Sequence, residues 1–175
     1  RQSNLKLHGY FQSYKYFEEH REEILTALAV KELQDRVSEQ YGDYSDYTSL
    51  HIRRGDYLEL SEYHHNLTLE YYKKAVSKFD KDTKFLIFSN DIDWCKKNLQ
   101  FIKNTEFSEG KDDWEDMILM SNCKNNIIAN STFSWWGAWF NTNEDKLVVA
   151  PSKWFGPKYS NKNTKDVIPS SWEIL

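Results

Sequence analysis

The stretch HIRRGDY at residues 51–57 sets a histidine, two arginines and an aspartate directly after the apolar run YTSLHI. Arginine presents a planar fork of donors that stays charged at any relevant pH and matches phosphate geometry. Arg53 and Arg54 can neutralise a diphosphate, and with Asp56 they are the expected catalytic residues. Because adjacent side chains diverge, one of the pair is expected to face a ligand and the other the fold. Gly55 lets the backbone turn beside that ligand. Asp56 can hold an arginine, accept a proton or accept a sugar hydroxyl, and the ion pair is the favoured role. His51, embedded in the apolar run, reads equally as a hydrogen-bonded core histidine or a ligand contact.

A second polar cluster, NSTFS, occupies residues 130–134. Ser131, Thr132 and Ser134 fall at an expected helix start, where free N–H groups and hydroxyls bind phosphate, although each of them also suits a plain cap. Trp135, Trp136 and Trp139 follow, and they read as core packing before they read as a sugar platform. Asp116, in WEDMILM, suits a helix cap on spacing alone. Its carboxylate can otherwise accept from the amide and amine of a guanine. Asp91 and Asp93 in SNDID permit a paired-carboxylate metal site, but they fit the N-terminus of a helix better.

Several chemistries are absent. No lysine follows a glycine-rich loop as in a P-loop NTPase, and no GxGxxG marks a dinucleotide site. Cys95 and Cys123 lack any neighbour at ligand spacing and read as reduced structural thiols. Asn66 and Asn130 both begin glycosylation sequons, a cheap match, and the second is expected inside the fold. The net charge of −4 argues against a nucleic-acid partner, so any anion site must be local.

The elements that must position these groups alternate. Apolar runs at 47–52, 84–89, 100–104, 125–130 and 146–151 read as strands, the third weakly. Helices are expected over 15–42, stopped by Gly42, over 68–79 with Thr68 as N-cap, over 91–99, over 112–123 and over 131–141. That alternation predicts an α/β fold: a Rossmann-like parallel sheet flanked by helices, with strand order 3-2-1-4-5. Ligands in such sheets sit at the carboxyl ends of the strands where the winding reverses. Here that point falls between the first strand and the fourth, so RRGD and NSTFS flank a single crevice.

These stretches resemble the α1,2-fucosyltransferases of glycosyltransferase family 11. HIRRGDY looks like the first motif of the family, FSNDIDWCKKNL the second, and LMSNCKNNIIANSTFSWWGAWF the third. LHGYFQSYKYF resembles the segment that precedes them, and order and spacing match along nearly the whole chain. The resemblance implies transfer of L-fucose from GDP-fucose to the 2-hydroxyl of a terminal galactoside, with inversion and without cofactor or obligatory metal. It implies a two-lobed GT-B fold in which residues 1–175 are the carboxyl-terminal, GDP-fucose-binding lobe. The diphosphate-holding arginine of the family falls on Arg53 or Arg54, and the guanine-reading acid of the related α1,6-fucosyltransferases falls on Asp116.

The GGLGNQ-like stretch that opens the amino lobe of the family is not in this sequence, so that lobe is expected to be missing here. As partners we expect GDP-fucose and a galactose-terminated glycan, in the cytoplasm or peripherally at the inner face of a bacterial membrane. Asp56, Glu59, Glu62, His64 and His65 are all candidates for the general base, and the sequence does not choose among them. Two other readings stay open: a transferase of the same fold using another GDP-sugar, and a GDP-sugar-binding domain inactive without its amino lobe.

Overall fold

A computed structural model describes residues 8–175 together with Asn4 and Lys6. Leu7, the first residue of the LHGYFQSYKYF segment, lies outside the described residues. Six strands form one parallel sheet: β1 (Tyr47–Ile52), β2 (Lys84–Ser89), β3 (Thr105–Phe107), β4 (Asn125–Ile127), β5 (Val148–Ala150) and β6 (Glu173–Ile174), in the order β3-β2-β1-β4-β5-β6. The two apolar runs at the centre, YTSLHI and KFLIFS, are buried on both faces, as parallel strands between helical layers must be. Leu50 lies opposite Ile87 on one side and Ile127 on the other, at the register of the winding reversal.

Period-two alternation divides the core. Phe85 and Ile87 join Leu50, Ile52 and Ile127 beneath α4 (Leu69–Val76) and α5 (Ile92–Asn98). Leu86 and Phe88 point the other way, onto α2 (Val30–Tyr41), α6 (Asp113–Asn122) and α7 (Thr132–Phe140). Leu50, Ile87 and Ile127 have no exposed surface, so truncating any of them to alanine costs about 2–5 kcal/mol.

Several expected boundaries move. The run expected as one helix over 15–42 is two short 3-10 turns, then α1 (Arg21–Ala27), then α2, with Ala29 in the left-handed region between the helices. Arg21 donates to the carbonyls of Trp139 and Asn141 at the end of α7, while Gln34 donates to Ser121 Oγ on α6. Two separate docking sites thus break a periodicity that is locally unbroken. The third strand is TEF at 105–107 rather than 100–104, because Phe101 remains exposed and only Ile102 turns into the core. β6 was not expected; Leu175 donates its N–H to Ala150 O and so completes the edge. Thr68 precedes α4 in extended geometry, but its side chain makes no capping bond.

Both cysteines are buried and unbridged. Asn130 is also buried, and its Nδ2 donates to the carbonyls of His65 and Trp154, so its sequon is structural. Among the described residues no helix is long and apolar enough to cross a membrane.

Candidate functional site

A cleft of about 500 Å³ opens beyond the carboxyl ends of the central strands, a volume suited to a nucleotide-sized ligand. His51 lines it from β1, Arg53 from the turn that follows, Asp56 and Tyr57 from the short helix α3 (Asp56–Glu59), and His64 from the loop beyond it. Ser89 and Asn90 line it from the end of β2, Asp113 and Asp116 from α6, and Ser131, Thr132 and Phe133 from the start of α7. RRGD and NSTFS therefore do face each other across a single crevice.

The two arginines part. Arg54 turns away from the cleft: its Nε donates to Asp91 at 3.0 Å and its guanidinium lies 3.9 Å from the centre of the Trp94 ring. It was expected among the catalytic residues, but it anchors the motif loop to α5 instead. Asp91 is doubly engaged, since it also caps α5 by accepting from Trp94 N. Asp93 sits in the first turn of the same helix, so both acids serve a helix N-terminus.

Arg53 faces the cleft. Its Nη2 lies 2.9 Å from the Asp56 carboxylate, and its guanidinium sits over the Tyr57 ring. Asp56 thus takes the ion-pair role and steers Arg53. Nε of Arg53 is buried, and among the described residues it has no hydrogen-bond partner. Gly55 makes this geometry achievable. Its φ is +42°, and a Cβ there would come within 2.4 Å of Asn90 Nδ2, whose amide oxygen accepts from Arg54 N.

His51 is 3% exposed and packs against Phe133, yet its Nδ1 also lacks a partner among the described residues. Burial, reinforced by the Arg53 charge, pushes its pKa down to about 3, so the ring is neutral at physiological pH. Unsatisfied buried donors are rare in folded proteins. Two buried nitrogens without partners, Nδ1 of His51 and the Nε donor of Arg53, belong to residues that line the same cleft.

The opposite wall is the N-terminus of α7. Ser131 occupies the cap position without a side-chain capping bond, so the first-turn amides keep no hydroxyl partner from it. Thr132 also faces the cleft. Ser134 was expected among the substrate contacts but is buried, where its Oγ accepts from Ala129 N and holds the β4–α7 turn. Trp135 and Trp139 are core; Trp136 is half-buried and lines a separate aromatic cavity with Phe11 and Phe17 that also reaches Thr132.

Asp116 is not the cap of its helix. That position belongs to Asp112, which forms a reciprocal capping box with Glu115. Asp116 is one turn further in, on the cleft wall, and accepts from Ser108 Oγ at 2.5 Å. Burial raises its pKa above the usual carboxylate value, with Ser108 and Lys111 pulling the other way. Asp113 lies one turn before it on the same wall.

Sequence reasoning missed Tyr57, Asn90, Ser108 and Asp113. Tyr57 closes the HIRRGDY stretch, and Asp113 sits three residues before Asp116, so spacing carried a signal for both. Ser108 reaches the site only because β3 pairs with β2 and its N–H donates to Ile87 O, which no local pattern reveals.

The chain matches the family model described as Glycosyl transferase family 11 over residues 2–174. It is 39% identical over 180 residues to the O-antigen biosynthesis glycosyltransferase WbnK of Escherichia coli, covering 91% of this chain and 58% of that protein. It is 37% identical to an Escherichia coli alpha-1,2-colitosyltransferase, covering 94% of this chain and 60% of that protein. A galactoside alpha-(1,2)-fucosyltransferase 1 of Leontopithecus chrysomelas is 27% identical over 77% of this chain and 42% of its own length. The chain therefore spans about three-fifths of the length of its first two curated relatives.

Proposed function

The chain belongs to glycosyl transferase family 11, and from that premise we infer that its cleft holds the GDP-sugar donor of a glycosyl transfer. The donor is GDP-fucose, the acceptor a galactose-terminated glycan, and the new bond an α1,2 linkage formed with inversion. Residues 1–175 serve as the donor-binding, carboxyl-terminal lobe of a GT-B enzyme. The observation that carries this reading is the pair of unpartnered buried nitrogens, Arg53 Nε and His51 Nδ1, set against the uncapped start of α7.

The chemistry follows from that arrangement. The bond between the anomeric carbon and the diphosphate breaks with oxocarbenium character, and negative charge builds on GDP. Arg53, held in place by Asp56, meets that charge without reorganising, as do the α7 amides. His51, kept neutral by burial, adds no second buried cation, and a proton on its Nδ1 would donate to the same oxygens. Asp116 accepts the guanine N1–H and exocyclic amine. No metal is needed in this scheme, because Arg53 and the helix start supply the positive potential.

A second donor is favoured by a specific observation, the 37% identity to an alpha-1,2-colitosyltransferase. Both readings share the GDP site and differ only in the sugar. The test is a transfer assay with GDP-fucose and GDP-colitose in parallel, with lactose as acceptor and EDTA present. Fucosyl transfer at the higher kcat/KM supports the first reading, and colitosyl transfer at the higher value replaces it by the second. Transfer from neither donor, with GDP still bound, would leave a donor-binding domain that does not act alone.

A further inference from the structure

The topology gives the cleft a direction. Asp116 and Ser108 stand at the β3–β2 side, since Ser108 N–H donates to Ile87 O of β2 just beyond β3. His51 and Arg53 stand at the end of β1, and Ser131 and Thr132 after β4. His64 forms a bridge with Phe155, beyond the end of β5. A GDP-sugar with its base at Asp116 and its diphosphate between Arg53 and Thr132 therefore lays its sugar toward Tyr57 and His64. This direction rests on the donor reading above.

Of the five candidate bases, the geometry removes four. Asp56 is committed to Arg53. Glu62 pairs with Lys158 on the surface. Glu59 is exposed and does not line the cleft. His65 lines a different cavity, with Lys153 and Trp154. His64 alone both lines the cleft at the sugar end and is free of an ion pair.

Its position is also fixed. The His64 ring stacks on Tyr57 with centroids 4.0 Å apart and planes 13° from parallel. The loop beneath it is pinned by Gly156 N–H to Tyr63 O and Lys158 N–H to Glu62 O, each 2.8 Å. Only glycine fits at 156, where a Cβ would come within 2.7 Å of the Ser61 and Glu62 carbonyls.

We propose that His64 is the general base that takes the proton from the acceptor hydroxyl. The hydroxyl proton passes to an imidazole nitrogen as the acceptor oxygen bonds to the anomeric carbon. The electron pair of the breaking carbon–oxygen bond leaves with GDP, and the imidazolium later returns its proton to water. Burial lowers the pKa of His64 below its ordinary value, so the ring is ready to accept. The charged groups facing it are Arg53, which adds to that lowering, and Asp56, which opposes it. From the facing segment its neighbour is Phe155, while Lys153 acts on His65.

Two measurements test this. In the transfer assay, His64→Gln should lower kcat by about 10²–10⁴-fold and abolish the acid limb of the kcat–pH profile. Its GDP affinity should stay within about twofold of the unmodified chain, because no diphosphate contact is lost. A kcat within about threefold of the unmodified chain would overturn the assignment. So would a loss of kcat matched by the loss of GDP affinity. The second measurement needs no turnover. In histidine-selective NMR spectra, the His64 ring signals should shift more with GDP-fucose than with GDP, whereas His51 should respond to both. Equal His64 shifts would overturn the placement even in a chain that transfers nothing, whereas failure to bind GDP at all would overturn the donor reading on which it rests.

Discussion

Replacing Asp116 by asparagine separates two roles that one carboxylate can play. If Asp116 reads guanine, the variant turns one acceptor into an N–H that faces the guanine N1–H or amine. A hydrogen bond to a charged group is worth about 1.5–3 kcal/mol, so GDP should bind about ten- to a hundredfold more weakly. Inosine diphosphate keeps the N1–H but lacks the amine, so its smaller starting affinity should fall less. Fold stability responds in a different way. The cap of α6 is Asp112, so Asp116→Asn forfeits no capping energy. The raised pKa of Asp116 means that the folded chain holds this proton more tightly than the unfolded one. The stability from this group is fully present below the unfolded value of about 3.9 and is lost as pH rises through the folded value. Asparagine removes that loss, so the variant should melt higher than the unmodified chain at neutral pH and no higher in acid. GDP affinity of the unmodified chain should weaken as pH falls through the raised value, and that of the variant should not. Calorimetry with both nucleotides at several pH values, with melting curves alongside, reads all of this. Equal fractional losses for GDP and inosine diphosphate would refute the reasoning and leave Asp116 a structural acid.

Two further outcomes follow from the site. His51 is depressed to about 3, so the stability that its neutral burial confers is complete above about pH 6.5 and declines as pH falls toward the folded value. That slope is about 1.4 kcal/mol per pH unit, or about 2 kcal/mol by pH 5 without nucleotide, and His51→Gln should flatten it in denaturant titrations. Gly55→Ala forces a Cβ against Asn90 at positive φ, so it should cost about 1–3 kcal/mol of stability and displace Arg53. Its GDP affinity should fall even at temperatures where circular dichroism shows a native fold.

The central sheet was legible because β1 and β2 are buried on both faces and carry continuous apolar runs bounded by polar turns. Strand order followed from the alternation of elements, and with it the meeting of RRGD and NSTFS. What escaped reading was set by distant partners. The break at Ala29 has no glycine or proline to mark it and reflects where Arg21 and Gln34 dock. Which arginine faces the cleft was undecidable in an RR pair until Asp91 and Trp94 claimed Arg54. Asp116 looked like a cap because acids crowd the start of α6, and only the capping box shows that Asp112 and Glu115 fill that role. Ser134 carries the composition of a phosphate contact, yet its hydroxyl turns inward to Ala129 N.

The most direct measurement is calorimetry of GDP in EDTA with the unmodified chain, Arg53→Ala and Arg54→Ala. GDP should bind without metal, and Arg53→Ala should weaken it by about ten- to a hundredfold, the worth of one charge-assisted phosphate contact. Arg54→Ala should lower the melting temperature, through loss of the Asp91 and Trp94 contacts, with a much smaller effect on GDP. Binding that requires Mg²⁺ or Mn²⁺, or a site that survives Arg53→Ala but not Arg54→Ala, would contradict the donor reading.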